Sequence, residues 1–153
     1  MHAPLNFSVR RPLLSLETSA ALADLTTEAV MDLIRDGTLR FAFNVATPDA
    51  GRQCLRVLAV SLADYLNGTH NSKRLLETPA QVRAAVAGIF PALAGDTLRI
   101  DTFCRLLSIS LDHGARLAET CVQRARHGRR GQNCGTLIVR ASALEFLLKR
   151  RVT

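Results

Sequence analysis

The sequence predicts an α+β protein, mainly helical with short β-hairpins, built as two tandem helix–turn–helix–hairpin units joined by a helical linker. Three observations carry this expectation. The stretch from Leu25 to Ala46 runs from a capped amphipathic helix through a glycine stop into an alternating segment. The same order of events recurs later in the chain, at an offset of 84 residues at its front and 82 at its back. Apolar residues make up 48% of the chain, enough for a buried core, which excludes global disorder.

The first unit is expected at residues 14–68. Leu16, Ala20, Leu22 and Ala23 form an apolar stripe with Ser15 as cap, predicting a short helix over 16–23. Asp24 and Leu25 make a tight connection. Thr26 or Thr27 caps a second helix, and Glu28 places negative charge in its first turn. Val30, Leu33 and Ile34 fall at the spacing of a buried stripe, with Asp32, Arg35 and Asp36 facing away. Gly37 can take the left-handed conformation that stops a helix. Leu39, Phe41, Phe43 and Val45 then alternate with Arg40, Ala42 and Asn44, which predicts a half-buried strand. A turn cluster at 47–53 leads to CLRVLAV (54–60), expected to pair back as a hairpin, and Ser61 is placed to cap a helix over 61–66.

A linker at 69–95 carries a helix over 77–93, with Thr78 as cap and Pro79 at the first helical position, where its missing N–H costs nothing. The second unit is expected at 96–151. Leu98, Phe103, Leu106 and Leu107 mark its first helix, 108–110 a turn, and 111–126 its second helix. A basic, glycine-rich loop at 127–135 precedes a strand at 136–140 and a helix over 142–151 capped by Ser142. Ala20, Leu22 and Leu25 have the spacing of Cys104, Leu106 and Ile109. Val57, Leu62, Tyr65 and Leu66 have that of Val139, Leu144, Leu147 and Leu148, so the second hairpin is expected to be two residues shorter. Gly37 has no counterpart, and Gly114 inside the later helix costs up to ~1 kcal/mol against alanine.

These segments resemble the small winged helix-turn-helix domains of the excisionase and MerR-like group. FCRLLSIS (103–110) resembles their first helix and turn, and VMDLIRDGTL (30–39) their recognition helix and its stop. LRV (55–57) with SLADYL (61–66), and IVRASALEFLL (138–148), resemble the closing strand and helix, although the proline of that strand is missing in both halves. The resemblance covers residues 14–66 and 98–150. It implies binding of double-stranded DNA, with a helix in the major groove and a wing on the minor groove or backbone. The role implied is a transcription regulator or an excisionase-like directionality factor, acting as a homodimer or cooperative array because one unit buries little surface.

Charge points to the same partner. Twenty basic against thirteen acidic residues give +7, with arginine far in excess of lysine. Arginine suits bidentate contact with phosphate and guanine edges. Residues 1–75 carry eight basic and seven acidic side chains, residues 76–153 twelve and six. Most of the attraction to a polyanion therefore comes from the second half. DNA-contact candidates there are His113, Arg116, Arg124, Arg126, Arg129, Arg130, Gln132 and Asn133. In the first half they are Thr27, Arg35, Arg40, Asn44 and Arg52, accompanied by Glu28, Asp32 and Asp36, which would oppose phosphates. Reversal at Arg129 and Arg130 is accordingly expected to cost more than reversal at Arg40 and Arg52. The acidic first helix pair also fits a rival reading, a protein-interaction module that has lost DNA binding.

No Ser-His-Asp order, paired carboxylates, phosphate-cradling glycine loop or H-E-x-x-H occurs, so no catalytic residue, enzyme activity, cofactor or small-molecule substrate is expected. His113, Cys121, His127 and Cys134 fit no zinc spacing, no metal is expected, and Cys54, Cys104 and the rest read as buried apolar thiols. With neither a secretory signal nor a membrane-length apolar run, a cytoplasmic, nucleoid-associated protein is expected.

Overall fold

The computed structural model describes residues 11–68, 78–90, 95–126 and 136–152, and of Arg126 only the backbone. Strand β1 (Leu13–Ser15) runs directly into helix α1 (Leu16–Ala23). Ser15 caps that helix as expected, its hydroxyl accepting from the Thr18 N–H. The chain turns on Asp24, left-handed at φ 54°, and enters α2 (Thr27–Arg35), where Thr26 accepts from the Ala29 N–H at 3.2 Å. Gly37, at φ 81°, stops α2. Strands β2 (Ala42–Asn44) and β3 (Leu55–Leu58) and helix α3 (Ala59–Leu66) complete the first half. Helix α4 (Pro79–Ala87) follows, held by a capping box in which Thr78 and Gln81 satisfy each other's backbone N–H.

The second half repeats this order: β4 (Thr97–Arg99), α5 (Ile100–Leu107), α6 (Leu111–Thr120), β5 (Arg124–Arg126), β6 (Leu137–Val139) and α7 (Arg140–Lys149). Each half holds a three-stranded antiparallel sheet, ordered β1-β3-β2 and β4-β6-β5, so the protein is α+β. The two inter-helix turns match residue for residue. Ser108 is left-handed at φ 52°, the Ile109 N–H bonds Cys104 O as the Leu25 N–H bonds Ala20 O, and Ser110 caps α6 as Thr26 caps α2.

Several expectations are corrected. Strands β1 and β4 are absent from the sequence reading, because three residues are too few to display a period. Ser61 and Ser142 are not caps: α3 and α7 begin at Ala59 and Arg140, and neither N-cap, Leu58 or Val139, makes a side-chain bond. Both serines instead hook the chain before their hairpin, accepting from the Arg40 N–H at 2.6 Å and the Gln123 N–H at 2.8 Å. Val57 pairs with Leu14 and Ile138 with Leu98, so the offset is 84 on the first strand and 81 on the closing one. The counterparts of Leu62, Tyr65 and Leu66 are therefore Ala143, Phe146 and Leu147, all buried, while Leu144 and Leu148 are half-buried. Much of the shortening precedes the hairpin: six residues separate Arg35 from Ala42, but three separate Thr120 from Arg124. That tighter link explains the missing glycine, since α6 ends on Cys121 with negative φ. Helix α6 accordingly stops at Thr120, not 126.

The first sheet is buried on both faces. Leu14, Ala42 and Val57 pack on Ala20, Val30, Ile34 and Leu62 of their own half. Leu13, Phe43 and Val45 join Phe90, Phe103, Leu107 and Ile138 in a core shared with α4 and the second half. Each fully buried phenylalanine contributes roughly 2–3 kcal/mol of transfer free energy. The alternation expected over 39–45 is broken at Phe41, whose φ of 58° sends Leu39 to the first core and Phe41, Phe43 and Val45 toward the shared one. Hydrogen bonds reinforce the union. The Ser108 hydroxyl donates to Leu13 O at 2.6 Å, and the Arg56 guanidinium donates to Leu107 O at 3.0 Å and Ser108 O at 2.9 Å. Residues 150–152 lie along the outer edge of β2, with Asn44 N–H to Arg150 O at 2.9 Å and Val152 N–H to Ala42 O at 2.7 Å.

Candidate nucleic-acid interface

The helices that follow the two turns present outward faces poor in positive charge. On α2 and its end, Glu28, Asp32, Arg35 and Asp36 are exposed, three carboxylates to one guanidinium, and Arg35 pairs with Asp32 at 3.0 Å. On α6 the exposed charges are Asp112, Arg116 and Glu119, with Arg116 loosely paired to Asp112 at 3.4 Å. Neither face alone attracts a phosphate backbone strongly.

The sequence-predicted positions separate into groups. Thr27 and Arg35 lie exposed at the two ends of α2. Arg40 is half-buried beside the Ser61 hook, and the amide oxygen of Asn44 accepts from the Ala46 and Cys54 N–H groups at 3.2 and 3.0 Å. Asn44 thus fastens the base of the first hairpin. Arg124 and Arg126 stand on β5, an outer strand of the second sheet, with Arg124 half-buried. Arg129, Arg130, Gln132 and Asn133 fall outside the described residues.

Arg52, His113 and Arg116, from opposite halves of the chain, come together. The loop joining β2 to β3 packs against the first turns of α6 and leaves a groove of about 320 Å³, lined in part by Thr47, Arg52, Cys54, Asp112, His113 and Arg116. His113 fastens the two sides, its Nε2–H donating to Val45 O at 2.7 Å. With Nε2 so occupied, His113 positions the loop. Sequence reasoning could not have joined Arg52 to Arg116, because the contact depends on how the halves dock.

The thiols are less uniformly buried than expected. Cys104 is 3% exposed, but Cys54 and Cys121 are half-buried. Burial, and secondarily the Asp101 carboxylate, push the Cys104 thiol up to about 11 from 9.0. Of the residues weighed as metal ligands, His127 and Cys134 fall outside the described residues. Among the described residues no three His, Cys, Asp or Glu side chains converge, and no helix is long and apolar enough to cross a membrane. Comparison with family models, curated proteins and solved structures finds no match.

Proposed function

We propose that each half is a winged helix-turn-helix unit and that the protein binds double-stranded DNA mainly through its second half, as a transcription regulator or excisionase-like factor. The observation that carries this reading is the repeated turn: a left-handed residue, a half-buried apolar residue and a hydroxyl cap, each time followed by a helix and a hairpin. That order suits a helix-turn-helix with its wing. The polarity of charge supports the second half, because residues 124–130, RARHGRR, hold four arginines and no carboxylate on and beyond β5. The first half, its sheet covered on both faces, serves as the buttress. Fluorescence anisotropy with labelled duplex DNA tests the reading. Binding should weaken steeply with salt, and Arg129→Glu with Arg130→Glu should lower affinity more than Arg35→Glu. An absence of salt-dependent binding at low ionic strength defeats it.

A second reading, a protein-interaction module, is favoured by one observation, the outward carboxylates of α2. A partner captured through α2 and lost on Asp32→Lys, with no DNA affinity in the purified protein, would decide for it.

A further inference from the structure

We propose that the groove between the first hairpin loop and α6 seats one backbone phosphate of the bound duplex, gripped jointly by Arg52 from the first half and Arg116 from the second. The inference rests on the DNA-binding reading above and deepens it: the halves form one composite contact surface where the repeat alone suggests two separate ones.

Three features converge there. Arg52 and Arg116 are both exposed and line the same groove, although 64 positions apart in the chain. Arg52 has no acidic partner among the described residues, and the Arg116 pair with Asp112 is long at 3.4 Å and solvent-washed on both sides. Such a pair contributes ~0–1 kcal/mol and yields readily to a phosphate. The groove is also held open by fixed parts. His113 ties α6 to Val45 O, and Asn44 ties the two ends of the loop through the Ala46 and Cys54 N–H groups. A guanidinium on a fastened loop loses less freedom on binding than one on an unrestrained arm. Small side chains, Ala46, Ala50 and Cys54, give an oxygen-rich ligand room to approach the two arginines. Asp112 is the opposing element, since its carboxylate lies on the same groove and repels the phosphate that Arg116 attracts.

This reassigns Arg52. By sequence it belongs with Arg40 among the minor contacts of the first half; by position it belongs with α6. Arg40, half-buried at the Ser61 hook, stays outside the groove.

The test measures affinity of the full chain for one duplex across a salt series, for Arg52→Gln, Arg116→Gln, the double variant, Asp112→Asn and the control Arg83→Gln, an exposed arginine on α4. Each single groove variant should lower the slope of log K against log salt by about 0.9, the value for one phosphate contact. The double variant should lower it by little more than either single one, because both side chains hold the same phosphate. Asp112→Asn should tighten binding, and Arg83→Gln should leave the slope unchanged. Wild-type binding with slopes unaffected at Arg52 and Arg116, or equally affected at Arg83, overturns the groove while leaving the DNA reading standing. An additive loss in the double variant overturns the shared phosphate. Failure of the wild-type chain to bind duplex DNA at low salt removes both proposals. All four substitutions are at exposed positions, so circular dichroism should report an unchanged fold.

Discussion

Gly114 on α6 lies directly against Cys104 on α5, so close that a Cβ at position 114 would collide with the Cys104 sulfur. The corresponding pair in the first half is Ala20 on α1 with Val30 on α2, both buried. One half sets a small residue against a large one, the other a larger residue against none. The glycine that weakens α6 as an isolated helix is what lets the two helices cross there.

Gly114→Ala should therefore destabilise the protein by about 1–3 kcal/mol through overpacking, although alanine is the better helix former by ~1 kcal/mol. Cys104→Ala in the same chain should recover part of that loss, giving a non-additive pair in urea denaturation. A Gly114→Ala variant more stable than the parent would show that the contact relaxes freely.

The raised Cys104 thiol has an alkaline consequence. Its folded value of about 11 lies above the ordinary 9.0, so between those limits the folded state holds a proton that the unfolded chain releases. Stability from this group is complete below pH 9 and falls as pH rises toward 11. Cys104→Ala should flatten that part of the stability–pH curve. In the native state at pH 8 the thiol should resist alkylation until the protein unfolds.

Arg56 should matter more than any exposed charge. It is half-buried and donates to two carbonyls at the end of α5. Arg56→Met should cost roughly 1.5–3 kcal/mol, the range for hydrogen bonds made by a charged donor. Arg35→Met, removing an exposed pair, should change thermal stability by no more than ~0.5 kcal/mol. Equal effects would show that the bridge between the halves is weak.

Asn44→Ala should loosen the first hairpin by removing the acceptor of the Ala46 and Cys54 N–H groups, at about 1–2 kcal/mol. Hydrogen exchange at those two amides reads the change directly, and their rates should rise more than those of Val57 in the sheet centre.

Local chemistry was legible and docking was not. The α2 helix could be read because its cap, stripe and glycine stop all lie within twelve residues, Thr26 to Gly37. The α4 start was equally open, since Thr78, Pro79 and Gln81 form a self-contained box. Ser61 and Ser142 misled because a serine near a helix start reads as a cap whether or not its hydroxyl reaches elsewhere. The burial of both faces of the first sheet was hidden for a different reason. Phe43 and Val45 look like one face of an ordinary half-buried strand until the second half covers them, and Leu13 lies in a strand too short to read. The candidate interface shared that fate: its arginines were visible singly, while their meeting across the halves depends on long-range packing.

The strand-like pairing of residues 150–152 with β2 bears on how the chain is made. During synthesis the outer edge of β2 emerges about a hundred residues before the segment that closes it, so the nascent chain carries an open edge next to buried-type side chains such as Phe43. The protein's most exposed moment for aggregation is thus on the ribosome, before residues 150–152 have been translated.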